Sequence, residues 1–314
     1  MTTTTPAPAA VGTPVRTRSR FAPARLAPGR LVAWLVLALV VLATVFPFYW
    51  MVRTSLTPTS DLIADSGRLF PTDPTLVNFR RVLGLTTTQE AIAAGGTGAS
   101  INFLRYTMNS FIFAGSVALV QTLSCAAAAY AFARLTFRGR DGLFVLIIAG
   151  LMIPGIFTLL PNFALMRELG LLNTMLALVA PSLLVTPFAI FFLRQFFLSL
   201  PRSVEEAAML DGVGPLGRFW RFALPMSRGP VATMILITFV GMWKEYLWPL
   251  VAGNSESTRV LTVGLSVFQQ QSPNTRPDWT GLMAGSTLSV VPVLIILIFL
   301  GRQLVQSLNF SGGK

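Results

Sequence analysis

The chain has 314 residues, 53% of them apolar and 11% charged, with a formal net charge of +12 and no histidine. Soluble domains carry about a quarter charged residues, so the composition excludes a soluble globular protein. Nucleic-acid binding is excluded as well, because the arginines cluster at the ends of apolar segments and not among interleaved aromatics.

Residues 1–30, rich in Thr, Pro, Ala and Arg without periodicity, are expected to form a disordered basic tail on the cytoplasmic side. The stretch 31–52 is too long for a signal-peptide core and ends without a small-x-small cleavage site, so it reads as a retained first span. Five further apolar stretches follow at 107–133, 143–163, 174–193, 231–251 and 281–301. Each is long enough to cross about 30 Å of hydrocarbon. Prolines interrupt several of them (Pro154, Pro161, Pro181, Pro187, Pro249, Pro292), which is tolerated where neighbouring helices satisfy the freed carbonyls. The expected fold is therefore all-α, a polytopic membrane protein of six transmembrane helices. Residues 31–106 would hold the first span and a long external loop. Residues 107–314 would form a core of five spans, with a charged cytoplasmic loop at 194–230.

Lysine and arginine set the orientation. With the N-terminus inside, the cytoplasmic side collects Arg16, Arg18, Arg20, Arg25, Arg30, Arg134, Arg138, Arg140, Arg194, Arg202, Arg218, Arg221, Arg228, Arg302 and Lys314, fifteen of the 24 basic residues. That bias puts both termini in the cytoplasm. In the first external loop, "AIAAGGTGAS" lacks the GxGxxG spacing and a following Lys-Ser/Thr, and so reads as a flexible loop, not a phosphate cradle. The third external loop, 252–280, is polar, and its Gln269, Gln270, Gln271, Ser272, Pro273 and Asn274 are candidates for touching something outside the cell.

Chemistry-bearing residues are few. A single cysteine, Cys125, and the absence of histidine exclude disulfide frameworks, Cys/His zinc sites and His-based acid–base catalysis within the chain. Cys125 reads as an inert packing residue. No paired carboxylates or nucleophile–base set occurs at matching depth, which argues against an enzyme, and no second half repeats the first, which argues against an ATP-independent secondary carrier. Ionisable residues in a span face a cavity or pair with each other, so Lys244 and Glu245 stand out, beside Trp243, Tyr246 and Trp248. For these aromatics an interfacial belt is favoured over stacking on a ligand. Asn109, Gln121 and Asn162 could line a path, with interhelical hydrogen bonding the preferred use.

The passage "EEAAMLDGVGPLGRFWRFALP", residues 205–225, is the one long charged stretch. Ser203 stands three before Glu206, a capping-box spacing that predicts a helix over 204–211. Gly212 supplies the left-handed residue that ends it. Pro215 opens a second helix and Pro225 stops it. Two turns of helix are marginal alone, and Asp211 stands at the unfavourable end of the macrodipole. Ala207 and Ala208 offer a smooth face, and Phe219, Trp220 and Phe222 offer aromatic area, so a partner surface is expected.

This stretch resembles the EAA signature of inner-membrane permease subunits of ATP-binding-cassette importers: Glu206-Ala207-Ala208, three residues, Gly212, nine residues, Phe222, Ala223, Leu224-Pro225, with Phe222 in place of the usual Ile. The blocks "NSFIFAGSVALVQTLSCAAAAYAFARLTFRGRD", "MIPGIFTLLPNFALMRELGLLNT" and "FFLRQFFLSLPRSVEEAAMLDG" are similar to the carbohydrate-uptake class and to the smaller permease of maltose-type systems, over about two thirds of the chain from Tyr106. The resemblance implies a cytoplasmic ABC ATPase in two copies, a second permease subunit and an extracytoplasmic solute-binding protein as partners. It implies no cofactor, and ATP chemistry on the partner, since the chain has no GxxxxGK[ST] loop. Glu206, Ala207, Ala208, Asp211, Gly212, Phe219, Phe222, Leu224 and Pro225 would couple to the ATPase. Lys244 replaces the family's usual Asn. Within the same class, a glycerol phosphate ester is the alternative substrate to a sugar or oligosaccharide, with Lys244 or Arg105 as a basic path residue.

Overall fold

The computed structural model describes residues 28–93, 101–270 and 277–309, and the regular structure among them is entirely helical. The expected N-terminal tail lies almost wholly outside the described residues, as do Gln271, Ser272, Pro273 and Asn274. In chain order the helices are α1 (Pro28–Ser55), α2 (Val77–Val82), α3 (Thr88–Ala93), α4 (Phe103–Arg134), α5 (Arg140–Ala149), α6 (Ile156–Glu168), α7 (Met175–Val179) and α8 (Pro187–Ser199). They continue with α9 (Arg202–Leu210), α10 (Pro215–Arg218), a π turn (Phe219–Ala223), α11 (Leu224–Met226), α12 (Arg228–Trp243), α13 (Leu247–Ala252), α14 (Leu261–Leu265), α15 (Val267–Gln270) and α16 (Trp279–Asn309).

The chain divides into two compact units, residues 1–48 and 49–314. In the first, α1 is apolar on every face, with Trp34, Leu39 and Leu42 exposed, the pattern of a helix surrounded by nonpolar material. In the second, α4 is the central element. Tyr106, Asn109, Ser110, Phe113, Ala114, Val117, Ala118, Gln121, Thr122, Cys125, Ala126, Ala129 and Tyr130 are buried. Their three- and four-residue spacing makes one continuous buried stripe, and its alanines let neighbours approach closely. Three apolar clusters draw on this helix: one with α8, the π turn and α12, one with α12, α14 and α16, and one with α6, α7, α13 and α14.

Among the described residues, three helices are long and apolar enough to cross a membrane: Gly29–Ser55, Phe103–Arg134 and Trp279–Phe299. Three further pairs pass the same test only jointly, bent by 100° between Arg140–Met152 and Ile156–Glu168, by 52° between Met175–Ser182 and Pro187–Ser199, and by 82° between Pro215–Met226 and Arg228–Trp243. Counting each bent pair as one span gives up to six. The continuous helices expected at 143–163 and 174–193 are thus broken. The physical reason is the residue before proline, which is pushed out of helical geometry: Ile153, before Pro154, has ψ 110°, and Thr186, before Pro187, has ψ 136°. The stretch 231–251 is interrupted as well, since α12 ends at Trp243 and α13 starts at Leu247. The proposed boundary at 106/107 falls inside α4, which begins at Phe103.

At the end of the second unit farthest along α4 from Arg134, the segment after α1 folds back as an ordered cap. Asn78 donates from Nδ2 to the carbonyls of Ser55 (2.9 Å) and Thr57 (2.8 Å), closing the end of α1. Arg81 forms a 2.7 Å ion pair with Asp278 at the start of α16, with both side chains 2% exposed. A Cβ on Gly281 would lie 2.8 Å from Arg81 Nη2 and 3.0 Å from Asp278 Oδ2, so the ion pair needs glycine there. Removing one partner of a buried pair leaves an uncompensated charge at a cost of about 3–5 kcal/mol. Asp278→Ala is therefore expected to lower the thermal midpoint of the detergent-solubilised protein sharply, and Arg81→Met in the same chain to restore most of the loss.

Asp65 organises the first part of that cap. Its carboxylate accepts the Thr72 amide (2.9 Å) and hydroxyl (2.7 Å), with Arg68 and Arg53 nearby. The Thr72 bonds, backbone first, hold its pKa below the ordinary carboxylate value. A folded-state pKa below the unfolded one gives stability that is present above the unfolded pKa and lost as pH falls through the folded one. The protection of the Thr72 amide relative to its intrinsic exchange rate should fall below about pH 4, and Asp65→Asn should abolish that acid step.

Candidate functional site

The candidate coupling segment follows α8 directly. Pro201, with ψ 125°, occupies the N-cap of α9, and the helix starts at Arg202 without a side-chain cap. Ser203 therefore lies inside the first turn with helical backbone, and the expected Ser203–Glu206 capping box does not form. The C-terminus follows expectation. Gly212, at φ +74°, donates its amide to Met209 O (3.0 Å), and Val213 donates to Ala208 O (2.9 Å), which together make a Schellman closure. Pro215 opens α10 at its first position. Pro225 does not stop the helix. The chain widens into the π turn, with Leu224 N–H reaching Phe219 O, and runs to Met226. The widened turn accommodates a proline that lacks a donor and crowds the carbonyl four residues back.

Around α9 the side chains divide sharply. Glu205 and Ala208 are buried, whereas Glu206, Ala207, Met209, Leu210 and Asp211 are exposed. Glu205 Oε1 lies 3.6 Å from Arg134 Nε at the end of α4, in an ion pair that is about nine-tenths buried on both sides. Arg134 also donates to Phe197 O (2.8 Å) and Leu200 O (2.5 Å), closing the C-terminal carbonyls of α8. One guanidinium thus ties α4, α8 and α9 together. Phe219 is buried against Tyr130 (5.5 Å between ring centroids) and Phe197 (6.3 Å). Phe222 and Leu224 are half-buried, Trp220 is half-exposed, and Gly212 and Pro225 are exposed. The aromatic area expected to face a partner is in large part a wedge into the chain's own core.

The candidate path residues separate by what their polar atoms already do. Asn109 donates to Ser257 O (3.0 Å) and Arg259 O (2.9 Å), and Gln121 donates to Ser182 O (2.5 Å). Trp243 is buried between α12 and α16, stacked on Phe239 and donating to Ser289 O at 3.2 Å. Lys244 is exposed at the end of α12. Glu245 Oε1 accepts the amides of Tyr246 (3.1 Å), Leu247 (3.1 Å) and Trp248 (3.4 Å) at the start of α13. Asn162 and Glu245 line one cavity of about 420 Å³. Gln269 is exposed in α15, and the side chain of Gln270 lies outside the described residues.

Residues 121–310 match the family of binding-protein-dependent transport system inner membrane components. The chain belongs to this family. The arabinooligosaccharide transport system permease protein of Halalkalibacterium halodurans is 31% identical over 272 residues, covering 86% of this chain and 91% of its own. The sn-glycerol-3-phosphate transport system permease protein of Agrobacterium fabrum is 29% identical over 264 residues, covering 84% and 90%. In fold the chain is similar to a chain of a bacterial ABC transporter involved in the import of the acidic polysaccharide alginate, with a TM-score of 0.71 and 22% identity over 90% of this chain and 99% of that one. The likeness thus extends well beyond the two thirds that the sequence blocks covered.

In this inner membrane component, sequence reasoning missed Glu205, Arg134 and Tyr130. The signal was the Glu205-Glu206 doublet: neighbours on a helix point about 100° apart, so two adjacent acids cannot share one environment. Arg134 was read only for orientation. Gly212 has open space around it, so a substitution there acts through backbone conformation alone. The left-handed conformation costs an ordinary residue about 1–2 kcal/mol. Gly212→Val should therefore accelerate hydrogen exchange at the Gly212 and Val213 amides several-fold, and Gly212→Asn should largely preserve their protection.

Proposed function

We propose that the chain is the permease subunit of an ATP-driven importer that forms, with a second permease, the translocation path for a sugar or oligosaccharide delivered by an external binding protein. The observation that carries this reading is the two-sided α9: Glu205 and Ala208 are fixed to the core, while Glu206, Ala207, Asp211 and Gly212 face outward on the segment that carries the EAA pattern. On this reading two copies of a cytoplasmic ABC ATPase grip the exposed side. Phe219, Phe222, Leu224 and Pro225 then pass the displacement to α12, and ATP hydrolysis resides on the partner. Both termini lie in the cytoplasm, and the membrane is the bacterial inner membrane. Residues 1–30 are a cytoplasmic tail, residues 31–106 carry the first span and external cap, and residues 107–314 are the permease core. The segment Gln269 to Asn274 faces the binding protein.

The sugar reading draws on the name of the arabinooligosaccharide relative. A glycerol phosphate ester is the second reading, favoured by the Agrobacterium relative's name, and uptake competition between labelled sugars and phosphate esters separates the two. Affinity purification of the tagged chain in mild detergent tests the assembly: an ATPase, a second permease and a binding protein are expected, and recovery of the chain alone would overturn it. Reversing a charge in a docked interface costs about 2 kcal/mol or more. Glu206→Lys should therefore keep the protein in the membrane and cut ATP-driven uptake at least tenfold, whereas uptake at the normal rate would overturn the coupling role.

A further inference from the structure

Three interrupted helices meet at one cavity. The helices are interrupted at 153–155, at 183–186 and at 244–246, and residues at or beside all three interruptions, Ile156, Ser182 and Glu245, line the same space of about 420 Å³. Non-helical backbone at membrane depth is tolerated where it is buried in protein or lines a watery cavity, and in secondary transporters discontinuous helices form the substrate and ion sites. The volume falls within the range of about 300–1,000 Å³ typical of small-molecule sites.

The lining has a definite chemistry. The Asn162 amide and the Ser182 hydroxyl make no hydrogen bond among the described residues, in contrast to the side chains of Asn109 and Gln121. The Thr158 hydroxyl donates to Gly155 O (2.7 Å), which leaves its lone pairs free to accept. Glu245 spends Oε1 on three backbone amides, which fixes the carboxylate and leaves Oε2 to accept from a ligand. Trp248, held by its Nε1 on Leu178 O at 3.0 Å, contributes an aromatic wall. Among the described residues, no lysine or arginine lines the space.

We propose that this cavity is a subsite for a neutral polyhydroxylated ligand such as a single sugar unit, recognised by Asn162, Ser182 and Glu245 and packed against Trp248. Hydroxyl groups donate to the free carboxylate oxygen and to the Asn162 carbonyl, and accept from the Asn162 amide and the Ser182 hydroxyl. A phosphate ester finds a carboxylate and no cation there. Lys244, the basic residue nearest in sequence, lies outside the lining. The subsite rests on the importer reading above and narrows its substrate class.

The test uses the complete transporter, purified through the tagged chain and reconstituted in proteoliposomes. ATP-driven uptake is measured for a defined pool of neutral di- and trisaccharides and for sn-glycerol 3-phosphate. Asn162→Ala removes a group that makes no hydrogen bond among the described residues, and is expected to lower sugar imported per ATP hydrolysed about fivefold, the effect of one lost hydrogen bond. Glu245→Gln keeps the amide-capping oxygen and should act in the same direction. In a Cys125→Ser background, Asn162→Cys should react with a methanethiosulfonate reagent at least threefold more slowly when the imported sugar is present. Sugar import with neither variant changed and no thiol protection would overturn the subsite and leave the importer reading standing. Import of glycerol 3-phosphate alone, with the thiol protected by it, would overturn the neutral ligand class. Absence of ATP-driven uptake of every probe would overturn the importer reading and the subsite with it.

Discussion

Backbone groups that leave a helix inside hydrocarbon find no water, and each must be satisfied by the protein itself. That constraint explains α4. Several irregular segments near this helix are closed by its polar side chains: Asn109 takes the carbonyls of Ser257 and Arg259, the Ser110 hydroxyl accepts the Leu261 amide at 2.8 Å, and Gln121 takes Ser182 O. Cys125 Sγ receives the Thr186 amide at 3.2 Å, directly before Pro187, and Arg134 closes the end of α8. A single unbroken helix can serve all of these sites because its polar residues fall on the stripe that its alanines bury. The breaks and the helix that repairs them are one design, and Cys125, which reads as packing, is a member of it.

The same helix links the two candidate sites. Phe113 lines the cavity, and Tyr130 and Arg134 meet the segment after α8. From Phe113 to Tyr130 is about 26 Å along the axis at 1.5 Å per residue. On the proposed reading, a push on α9 enters α4 through the Arg134–Glu205 pair and the Tyr130–Phe219 contact. A packed, unbroken helix transmits it without absorbing it in a hinge. The π turn at Phe219–Ala223 is the softer joint, since the chain turns by 82° just beyond it into α12.

The apolar stretches, the basic ends and the glycine closure at Gly212 were all legible in the sequence, because each follows from a local rule. The bends were half legible. Pro154 and Pro187 announce a break, but hydropathy alone draws a continuous line through both, and only the conformation of the preceding residue turns a tolerated proline into a corner. The capping box failed because Pro201, two residues before Ser203, had already placed the helix start. Asn109, Gln121 and Asn162 look alike in sequence, and only tertiary placement distinguishes the two amides spent on carbonyls from the one left free. Phe219 and Trp243 were misjudged for a related reason: in a chain this apolar, an aromatic beside charged residues can face either way, and packing decides.

The exposed side of α9 and α10 carries a specific imbalance. Asp211 is exposed at the negative end of the α9 dipole, and no cation reaches it among the described residues, an unfavourable placement of about 0.3–1 kcal/mol. Around it Leu210 is 90% exposed, Leu216 74% and Trp220 50%. Apolar exposure on this scale beside a polar rim marks an interaction surface, and a lipid headgroup layer would accept the apolar groups and do nothing for Asp211. A basic protein surface relieves both at once. On the proposed reading, Glu206 and Asp211 supply the charge that the ATPase complements, the three large side chains supply the area, and the buried Glu205 holds the helix in place while the partner pulls on it.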